Sequence, residues 1–353
     1  MSTQDSTQDS TQDSTPDSTQ DARADLLRLI NGFQATQAIH VAATLGIADR
    51  LGTASRSAAD LATETGTSPT ALHRLMRALA SIGVFREDGD GRFALSPAGE
   101  FLRSDVSGTY AAFARMGGRP HFWQAWGDLL YAVRSGCTAF NHVHGIGVWD
   151  FRAQHPEEMR LFDRAMACAT ERFAEAVLEV CDFGRFAHVV DVGGGDGIFL
   201  AKILAAHPLV RATLFDQPHV IAQAQSLVAP GLSGRCRMVG GNFFAGVPEG
   251  GDAYLLKWIL HNWEDTAAVD ILRSCRKAVS PAARLLVVEH VIGPPNTAPD
   301  GKLMDITMLV MNGGRERTRE EFAALLARAG FRLLSVTATA TPLSVIEGAP
   351  EGD

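Results

Sequence analysis

The chain has 353 residues, of which 46% are hydrophobic and 20% are charged, and its formal net charge is −8. This composition predicts a globular protein with one large and one smaller domain, or two of similar size. The negative charge argues against nucleic acid or an anionic membrane as the main partner. The 5 cysteines form no CxxC or Cys/His cluster, which argues against a disulfide framework and a zinc site.

The N-terminal segment carries two separate signals. Residues 1–22 form a low-complexity tail built on a Ser-Thr-Gln-Asp repeat, which lacks an apolar face and predicts disorder. The apolar stretch from Leu26 to Phe33 follows and predicts a helix that packs on a second subunit. The chain shows no secretory signal and no apolar run long enough to cross a bilayer, so we expect a cytoplasmic protein.

Residues 23–105 carry helical apolar patterns that end in a hairpin pattern over residues 83–95. Together they predict a mainly helical, winged-helix-like domain. Such a domain could bind DNA through His73, Arg74 and Arg77, or it could serve as a dimerisation module. The acidic balance of the chain favours dimerisation.

Residues 106–182 lack strand alternation and carry many aromatic and methionine side chains. Most such side chains pack in a core. Those that face a cleft would suit a flat apolar ligand, because both types offer large and adaptable contact area. We therefore predict a helical linker that contributes to a substrate pocket and ends near Cys181–Gly184.

A strand, a glycine-rich turn and a helix follow in the second half of the chain. The buried strand Val189–Val192 leads into Gly193 and Gly195, whose backbone can approach a ligand closely. A second strand ends at Asp216, where a carboxylate can accept hydrogen bonds from ribose hydroxyls. These features indicate a nucleotide-like ligand, without separating a dinucleotide from S-adenosylmethionine (SAM). The glycine pattern alone is also compatible with a tight turn that binds nothing.

Further strands alternate with helices over residues 183–353 and predict a doubly wound, Rossmann-like parallel α/β sheet. The predicted strands are 237–239, 253–257, 284–289, 331–335 and 342–347. In such sheets ligands bind at the carboxyl ends of the strands. Polar residues at or just after these ends are expected to share one crevice: Asp191, Asp216, Asn242, Lys257, His261 and Glu289.

His261, within KWILHNWED, is the candidate general base. Histidine titrates near neutrality and can take a proton from a phenol. Such a base needs an orienting carboxylate, and Glu289 or Glu316 could supply it. The alternative is that His261 lies at a helix start and only forms hydrogen bonds with the backbone. The position of His261 after the fourth strand favours the catalytic interpretation.

The motifs DVGGGDG, FDQPHVI, GGNFF, LLKWILHNWED and GGRERTREEF, in this order, resemble the class I SAM-dependent small-molecule O-methyltransferases. These include the caffeate and flavonoid enzymes of plants and bacterial relatives in polyketide and antibiotic pathways. The resemblance extends from about residue 24 onward. It implies SAM as cofactor, no metal, and a homodimer whose N-terminal helices interlock.

The resemblance also implies cofactor contacts at the glycine loop and the strand ends: Asp191, Gly193, Gly195, Asp216, Asn242, Phe243 and Lys257. Gly193 would meet the methionine part of SAM and Asp216 the ribose. Asn242 and Phe243 would meet the adenine, and Lys257 would support the cofactor. The family usually has Asp at the position of Asn242, but an amide oxygen still offers an acceptor.

By the same resemblance His261 is the catalytic base, and Glu289 and Glu316 flank and orient it. The acceptor pocket would include Phe162, Met166, Met308 and Met311. Asn262 departs from the Asp that often follows the histidine, which removes a nearby carboxylate.

The predicted reaction is direct methyl transfer to a hydroxyl of an aromatic secondary metabolite, with a multi-ring phenol or quinol as the expected acceptor. Three alternatives stay open at this point. One is a SAM-binding enzyme of the same fold that transfers no methyl group, such as a hydroxylase, decarboxylase or pericyclase. The others are a C- or N-methyltransferase and a DNA-binding regulator.

Overall fold

The computed structural model describes residues 16–352 except residues 225, 228–230 and 233, and the chain divides into two compact units between Ala98 and Gly99. The predicted disordered tail lies outside the described residues as far as residue 15. Residues 16–22 belong to a helix that begins at Pro16, so the predicted boundary at residue 22 is corrected. Proline suits a first helical turn, since its fixed φ matches the helix and it needs no N–H partner there.

The first unit is mainly helical. Its elements are α1 (Pro16–Ile30), α2 (Gly32–Thr44), α3 (Ile47–Leu51), β1 (Arg56–Ser57), α4 (Ala58–Thr65), α5 (Pro69–Ser81), β2 (Phe85–Glu87) and β3 (Arg92–Leu95), and α6 (Pro97–Glu100) crosses the division between the units. Strand β3 pairs antiparallel with β1 and β2, so the predicted hairpin is confirmed. Its turn is held by Asp88, whose Oδ1 accepts the N–H groups of Asp90 and Arg92. The winged-helix description stays our interpretation of this unit.

The second unit begins with a set of helices: α7 (Ala111–Gly117), α8 (Pro120–Gly127), α9 (Leu129–Ser135), α10 (Ala139–His144), α11 (Val148–Gln154) and α12 (Pro156–Val180). The helical character predicted for residues 106–182 is confirmed. These helices belong to the same compact unit as the sheet that follows, so the predicted linker is not set apart from the catalytic domain at residue 182.

The sheet of the second unit consists of β4 (His188–Val192), β5 (Arg211–Asp216), β6 (Cys236–Gly240), β7 (Ala253–Lys257), β8 (Arg284–His290), β9 (Phe331–Ala338) and β10 (Leu343–Pro350). The helices between the strands are α13 (Ile198–Ala206), α14 (Pro218–Ile221), α15 (Asp265–Ala278), α16 (Pro299–Met311) and α17 (Arg319–Arg328). A short 3₁₀ turn, Leu260–Asn262, follows β7 and is named the His261 turn below. Every strand predicted in this half of the chain is present.

The strand order is β6-β5-β4-β7-β8-β10-β9, and strands β4 to β8 are parallel. The prediction of a parallel sheet needs one correction, because β10 runs antiparallel to both β8 and β9. Only a few residues join β9 to β10, and so short a connection permits only an antiparallel pair. The order in which strands are added to the sheet reverses between β4 and β7, and such a switch point is where open α/β sheets bind ligands.

Apolar clusters cover both faces of this sheet, one including Val189, Leu214 and Leu255 and the other Val190 and Tyr254. Consecutive residues of one strand point to opposite faces, so the valines of β4 pack into both clusters, and Asp191 is the one charged residue in its buried length. A rigid, doubly covered sheet then fixes the loops at its carboxyl edge. Within the described ranges, no helix is long and apolar enough to span a membrane.

Candidate active site

The glycine loop is tied to the end of the neighbouring strand. The N–H of Gly195 donates to Oδ2 of Asp216 at 2.9 Å, and the N–H of Gln217 donates to Oδ1 at 2.6 Å. Gly193 has φ +74°, and a Cβ there would collide with the side chain of Ile259. Only glycine tolerates both conditions. The structure thus brings together the loop and the acid that the sequence predicted, and burial raises the pKa of Asp216.

Asp191, which is buried in β4, and Lys257, which is half-buried at the end of β7, are the ionisable side chains next to this loop. Asp191 is 1% exposed, and burial raises its pKa while the cation of Lys257 opposes the shift. Burial lowers the pKa of Lys257, with Asp191 opposing in turn. The ammonium of Lys257 donates to Oγ1 of Thr170 at 3.0 Å and lies 4.2 Å from the ring centre of Trp258. Sequence reasoning missed Thr170, which links helix α12 to the end of β7.

Trp258 has a backbone conformation that is rare for its residue type. Its φ is +56°, which for a bulky residue is strained and occurs where the surrounding structure enforces it. Its N–H donates to the carbonyl of Val288, so the chain leaves β7 still attached to β8. The turn that carries His261 starts from this fixed position.

Asn242 and Phe243 lie in the loop after β6. Oδ1 of Asn242 accepts the N–H of Phe244 at 3.0 Å, so its predicted acceptor already serves the backbone, although an amide oxygen has a second lone pair. The ring of Phe243 is half-buried and lies 3.9 Å from the position of a Cβ on Gly193. The Phe243 ring therefore borders the glycine loop.

Glu289 binds the backbone of the His261 turn rather than its imidazole. Its Oε1 accepts the N–H groups of Ile259, Leu260 and His261 at 3.0, 2.6 and 3.2 Å. This carboxylate is fully buried, and burial raises its pKa. The predicted role of Glu289 in orienting the histidine is therefore indirect, through the backbone.

Glu316 is the carboxylate that contacts the imidazole. Its Oε1 lies 2.8 Å from Nδ1 of His261 and 3.5 Å from Nδ1 of His290, and all three side chains are buried. Burial alone would raise the pKa of Glu316, but the two histidines lower it to about 2. Burial alone would lower the pKa of His261, but its hydrogen bond to Glu316 and the charges of both acids raise it.

An imidazole that donates through Nδ1 presents Nε2 as its proton acceptor. The His261–Glu316 contact therefore fixes the tautomer that a general base requires, and the raised pKa increases the basicity of that nitrogen. His290, directly after Glu289, was not among the predicted site residues. Its only sequence signal is its position at the end of β8.

Two further residues hold the His261 turn and were not predicted. The guanidinium of Arg317, 1% exposed, donates to the carbonyl oxygens of Leu260 and Trp263 at 3.1 and 2.9 Å and also bonds Asp265. A Cβ on Gly314 would collide with the carbonyl of His261, so this approach requires glycine. Both residues lie in the GGRERTREEF motif. Its many charges predict an exposed loop, so the sequence does not indicate that this motif holds the His261 turn.

The predicted acceptor residues fall on two helices that reach the site. Met308 and Met311 are buried near the end of α16, where Asn312 donates to Oδ1 of Asn262 in the His261 turn. Phe162 and Met166 are half-buried on α12. They share a helix face with Thr170, since the spacing is four residues, and Thr170 bonds Lys257. The structure therefore connects both pairs to the carboxyl edge of the sheet.

Several buried polar atoms have no hydrogen-bond partner within the described part of the chain: Trp126 Nε1, Arg152 Nη1, Asp191 Oδ1, Trp258 Nε1, Glu289 Oε2, His290 Nδ1 and Glu316 Oε2. Buried polar atoms are normally satisfied. Asp191 and Trp258 border the glycine loop and Lys257, whereas the other carboxyl oxygens lie beside His261. Together with the carboxylate of Asp216 and the ring of Phe243, these unpaired donors and acceptors fit SAM. No group of 3 or more His, Cys, Asp or Glu side chains suited to a metal occurs among the residues described.

Comparison with known proteins gives two family matches. The O-methyltransferase domain matches residues 126–332, and the O-methyltransferase dimerisation domain matches residues 27–105. The chain is 41% identical to the phenazine O-methyltransferase PhzM of Lysobacter antibioticus, over 92% of this chain and 95% of that protein. It is 42% identical to the 3-amino-4-hydroxybenzoate 4-O-methyltransferase of Streptomyces cremeus, over 88% of this chain and 86% of that protein.

Solved structures agree with these relatives. The mitomycin 7-O-methyltransferase MmcR superposes with a TM-score of 0.87 at 35% identity, covering 95% of this chain and 100% of that one. An O-methyltransferase from neocarzinostatin biosynthesis was solved in complex with SAM and 2-hydroxy-5-methyl naphthoic acid. It superposes with a TM-score of 0.75 at 32% identity, covering 90% of this chain and 96% of that one. The fold, the glycine loop and these matches lead to one conclusion: the chain belongs to the SAM-dependent O-methyltransferase family.

Proposed function

We propose that the protein transfers a methyl group from SAM to a hydroxyl of an aromatic small molecule, with His261 as general base. The observation that carries this proposal is the buried 2.8 Å contact between Nδ1 of His261 and Glu316 Oε1, on the same sheet edge as the glycine loop. A carboxylate-oriented imidazole favours methyl transfer, since a SAM-binding enzyme that transfers no methyl group does not need a base at this position.

The roles of the residues follow from their contacts. SAM, when bound, supplies a methyl group that its sulfonium charge activates. Asp191, Gly193, Gly195, Asp216, Asn242, Phe243 and Lys257 would hold it. Nε2 of His261 accepts the proton of the acceptor hydroxyl, and Glu316 stabilises the imidazolium that forms. Glu289 fixes the backbone of the turn so that the imidazole stays aligned.

The proposed acceptor is a hydroxylated aromatic secondary metabolite. Relatives carry names that specify such acceptors, including an aminohydroxybenzoate and a dihydroxynaphthoate. The aromatic and methionine side chains of the acceptor segments, Phe162, Met166, Met308 and Met311, suit a flat ring system.

N-methylation is the second candidate. The chain is 39% identical, over 88% of its length, to an 8-amino-8-demethylriboflavin N,N-dimethyltransferase of Streptomyces davaonensis. An amine needs less help from a base than a phenol does, so the ordered His261–Glu316 pair supports the hydroxyl acceptor.

We also propose a homodimer formed through the first unit. Helix α1 and the start of α2 expose large apolar side chains at fractions of 52–74%: Leu26, Leu27, Leu29, Ile30 and Phe33. Contiguous apolar surface of this kind marks an interaction site. The match to a dimerisation domain over residues 27–105 supports a second copy as the partner. A cytoplasmic location, without nucleic acid or a metal, is part of the same proposal.

The test is calorimetry of the purified protein with SAM and S-adenosylhomocysteine, followed by mass spectrometry against phenols and aryl amines. Binding of SAM with a phenolic product heavier by one methyl group supports the proposal. Binding without methylation of any acceptor would favour a non-methylating enzyme of this fold. Methylation of amines alone would favour the second candidate, and no binding would overturn the cofactor assignment.

A further inference from the structure

Arg152 is a buried cation that has no anionic partner in contact with it among the described residues. Its side chain is 6% exposed on α11, and Nη1 has no hydrogen-bond partner. Within the described part of the chain, the guanidinium of Arg152 forms neither a hydrogen bond nor an ion pair. Its guanidinium carbon instead lies 3.7 Å from the ring centre of Phe162 and 4.9 Å from that of Trp149.

Nearby carboxylates do not neutralise this cation by contact. Glu158 is bonded to Arg119, with 3.0 Å from Nε to Oε2, and Asp163 acts on Arg152 only as a charge. Burial lowers the pKa of Arg152 to about 9, so the group is still protonated at neutral pH. A buried charge without a paired anion is costly, and stacking on two rings compensates only part of that cost. The arrangement is suited to an anion that arrives with a ligand.

Helix α12 leads from this cation to the reaction site. Phe162, on which Arg152 stacks, shares a face with Met166 and Thr170, and Thr170 accepts a hydrogen bond from Lys257 at the end of β7. Eight residues of helix correspond to about 12 Å along its axis. Arg152 therefore lies at the far end of the face that carries the two predicted acceptor residues of this helix.

We propose that Arg152 anchors a carboxylate carried by the acceptor, so that the preferred substrates are hydroxyaryl carboxylic acids. A planar guanidinium matches a carboxylate with two parallel hydrogen bonds, and its aromatic neighbours exclude water from the pair. The inference rests on the proposed function in one respect: the face of Phe162 and Met166 lines the acceptor site.

The test compares hydroxyaryl carboxylic acids of one to three rings with the matched phenols that lack the carboxylate. Binding is measured by calorimetry in the presence of S-adenosylhomocysteine, so that the result does not depend on turnover. Wild-type protein should bind at least one acid about 10–100-fold more tightly than its matched phenol, the range expected of charge-assisted hydrogen bonds. Arg152→Met should abolish this preference while leaving phenol binding unchanged.

Arg164→Met is the matched control, because Arg164 is exposed on α12, the helix that carries Phe162, and this variant should keep the preference for the acid. Arg152→Met should fold, since methionine fills similar volume without an unpaired buried charge, and its melting temperature checks this. If no acid binds more tightly than its phenol, or if Arg152→Met keeps the preference, the inference is wrong. Acid binding that depends on Arg152 without any methyl transfer would support the anion site and contradict the proposed function.

Discussion

The imidazole of His261 and the carboxylate of Glu316 lie 2.8 Å apart although 55 positions separate them in the chain. The His261 turn, fixed to Glu289 and Arg317, presents the histidine to an acid that enters from the segment before α17. The pair therefore forms only when the turn after β7 and the loop after α16 are both in place. The first two predictions concern this pair.

His261→Ala should reduce turnover by about 10²–10⁴-fold, the usual contribution of a general base. Affinity for SAM should be retained, because the imidazole contacts Glu316 rather than the glycine loop. Steady-state kinetics and calorimetry measure the two effects. His142→Ala, which removes a surface histidine bonded to Asp128, is the control. Unchanged turnover in His261→Ala would show that positioning alone suffices.

Glu316→Gln should alter the pH profile. Glu316 raises the pKa of His261, and the base must be neutral to act, so kcat/KM of the wild type should rise with pH through a midpoint above about 6.5. Loss of the carboxylate should move this midpoint to lower pH and reduce the plateau. The acceptor should have a hydroxyl that does not titrate in the same range. An identical midpoint in both proteins would exclude His261 as the titrating group.

Glu289→Ala should destabilise the fold, since it leaves the N–H groups of Ile259, Leu260 and His261 buried without their acceptor. Each unsatisfied group costs about 1–3 kcal/mol, so the free energy of unfolding should fall by at least that amount. Urea denaturation measures it. Glu289→Gln keeps an acceptor oxygen and should lose much less. Equal losses in both variants would contradict the backbone role.

Gly193→Ala should impair the glycine loop more than Gly195→Ala. Both residues have positive φ, so both variants carry backbone strain of about 1–3 kcal/mol. Only at Gly193 would the new methyl also collide with Ile259, because nothing lies within 4 Å of a Cβ on Gly195. Thermal melts should rank wild type above Gly195→Ala and that above Gly193→Ala. The reverse order of the two variants would contradict the packing described for Gly193.

Leu29→Glu should convert the proposed dimer into monomers. Leu29 is 74% exposed among the apolar residues of α1, and a charge in an apolar interface opposes association. Light scattering coupled to size-exclusion chromatography measures the mass. Leu209→Glu is the control, since Leu209 is 94% exposed and belongs to the second unit. A wild-type monomer, or a Leu29→Glu dimer, would show that α1 is not the interface.

Local pattern was sufficient to predict the strands of the sheet and the positions of the glycine loop, Asp216 and His261. The strand of Val189–Val192, the glycine loop and Asp216 were predictable because hydrophobic alternation and glycine placement act over short stretches. His261 was predictable because it follows a strand whose end must lie at the ligand-binding edge. The end of the N-terminal tail was not predictable. The polar repeat has no helical periodicity, yet the helix already begins at Pro16.

Only the tertiary structure shows which group each of the two acids, Glu289 and Glu316, contacts. Sequence motifs placed Glu289 and Glu316 near His261 without saying which atom each would meet. The geometry assigns the backbone N–H groups to Glu289 and the imidazole to Glu316. The burial of Arg152 could not be predicted from the sequence either, since an arginine in a polar stretch is expected at the surface. Hydrogen-bond partners and unpaired charges depend on which distant segments meet, and no local pattern of residues records that.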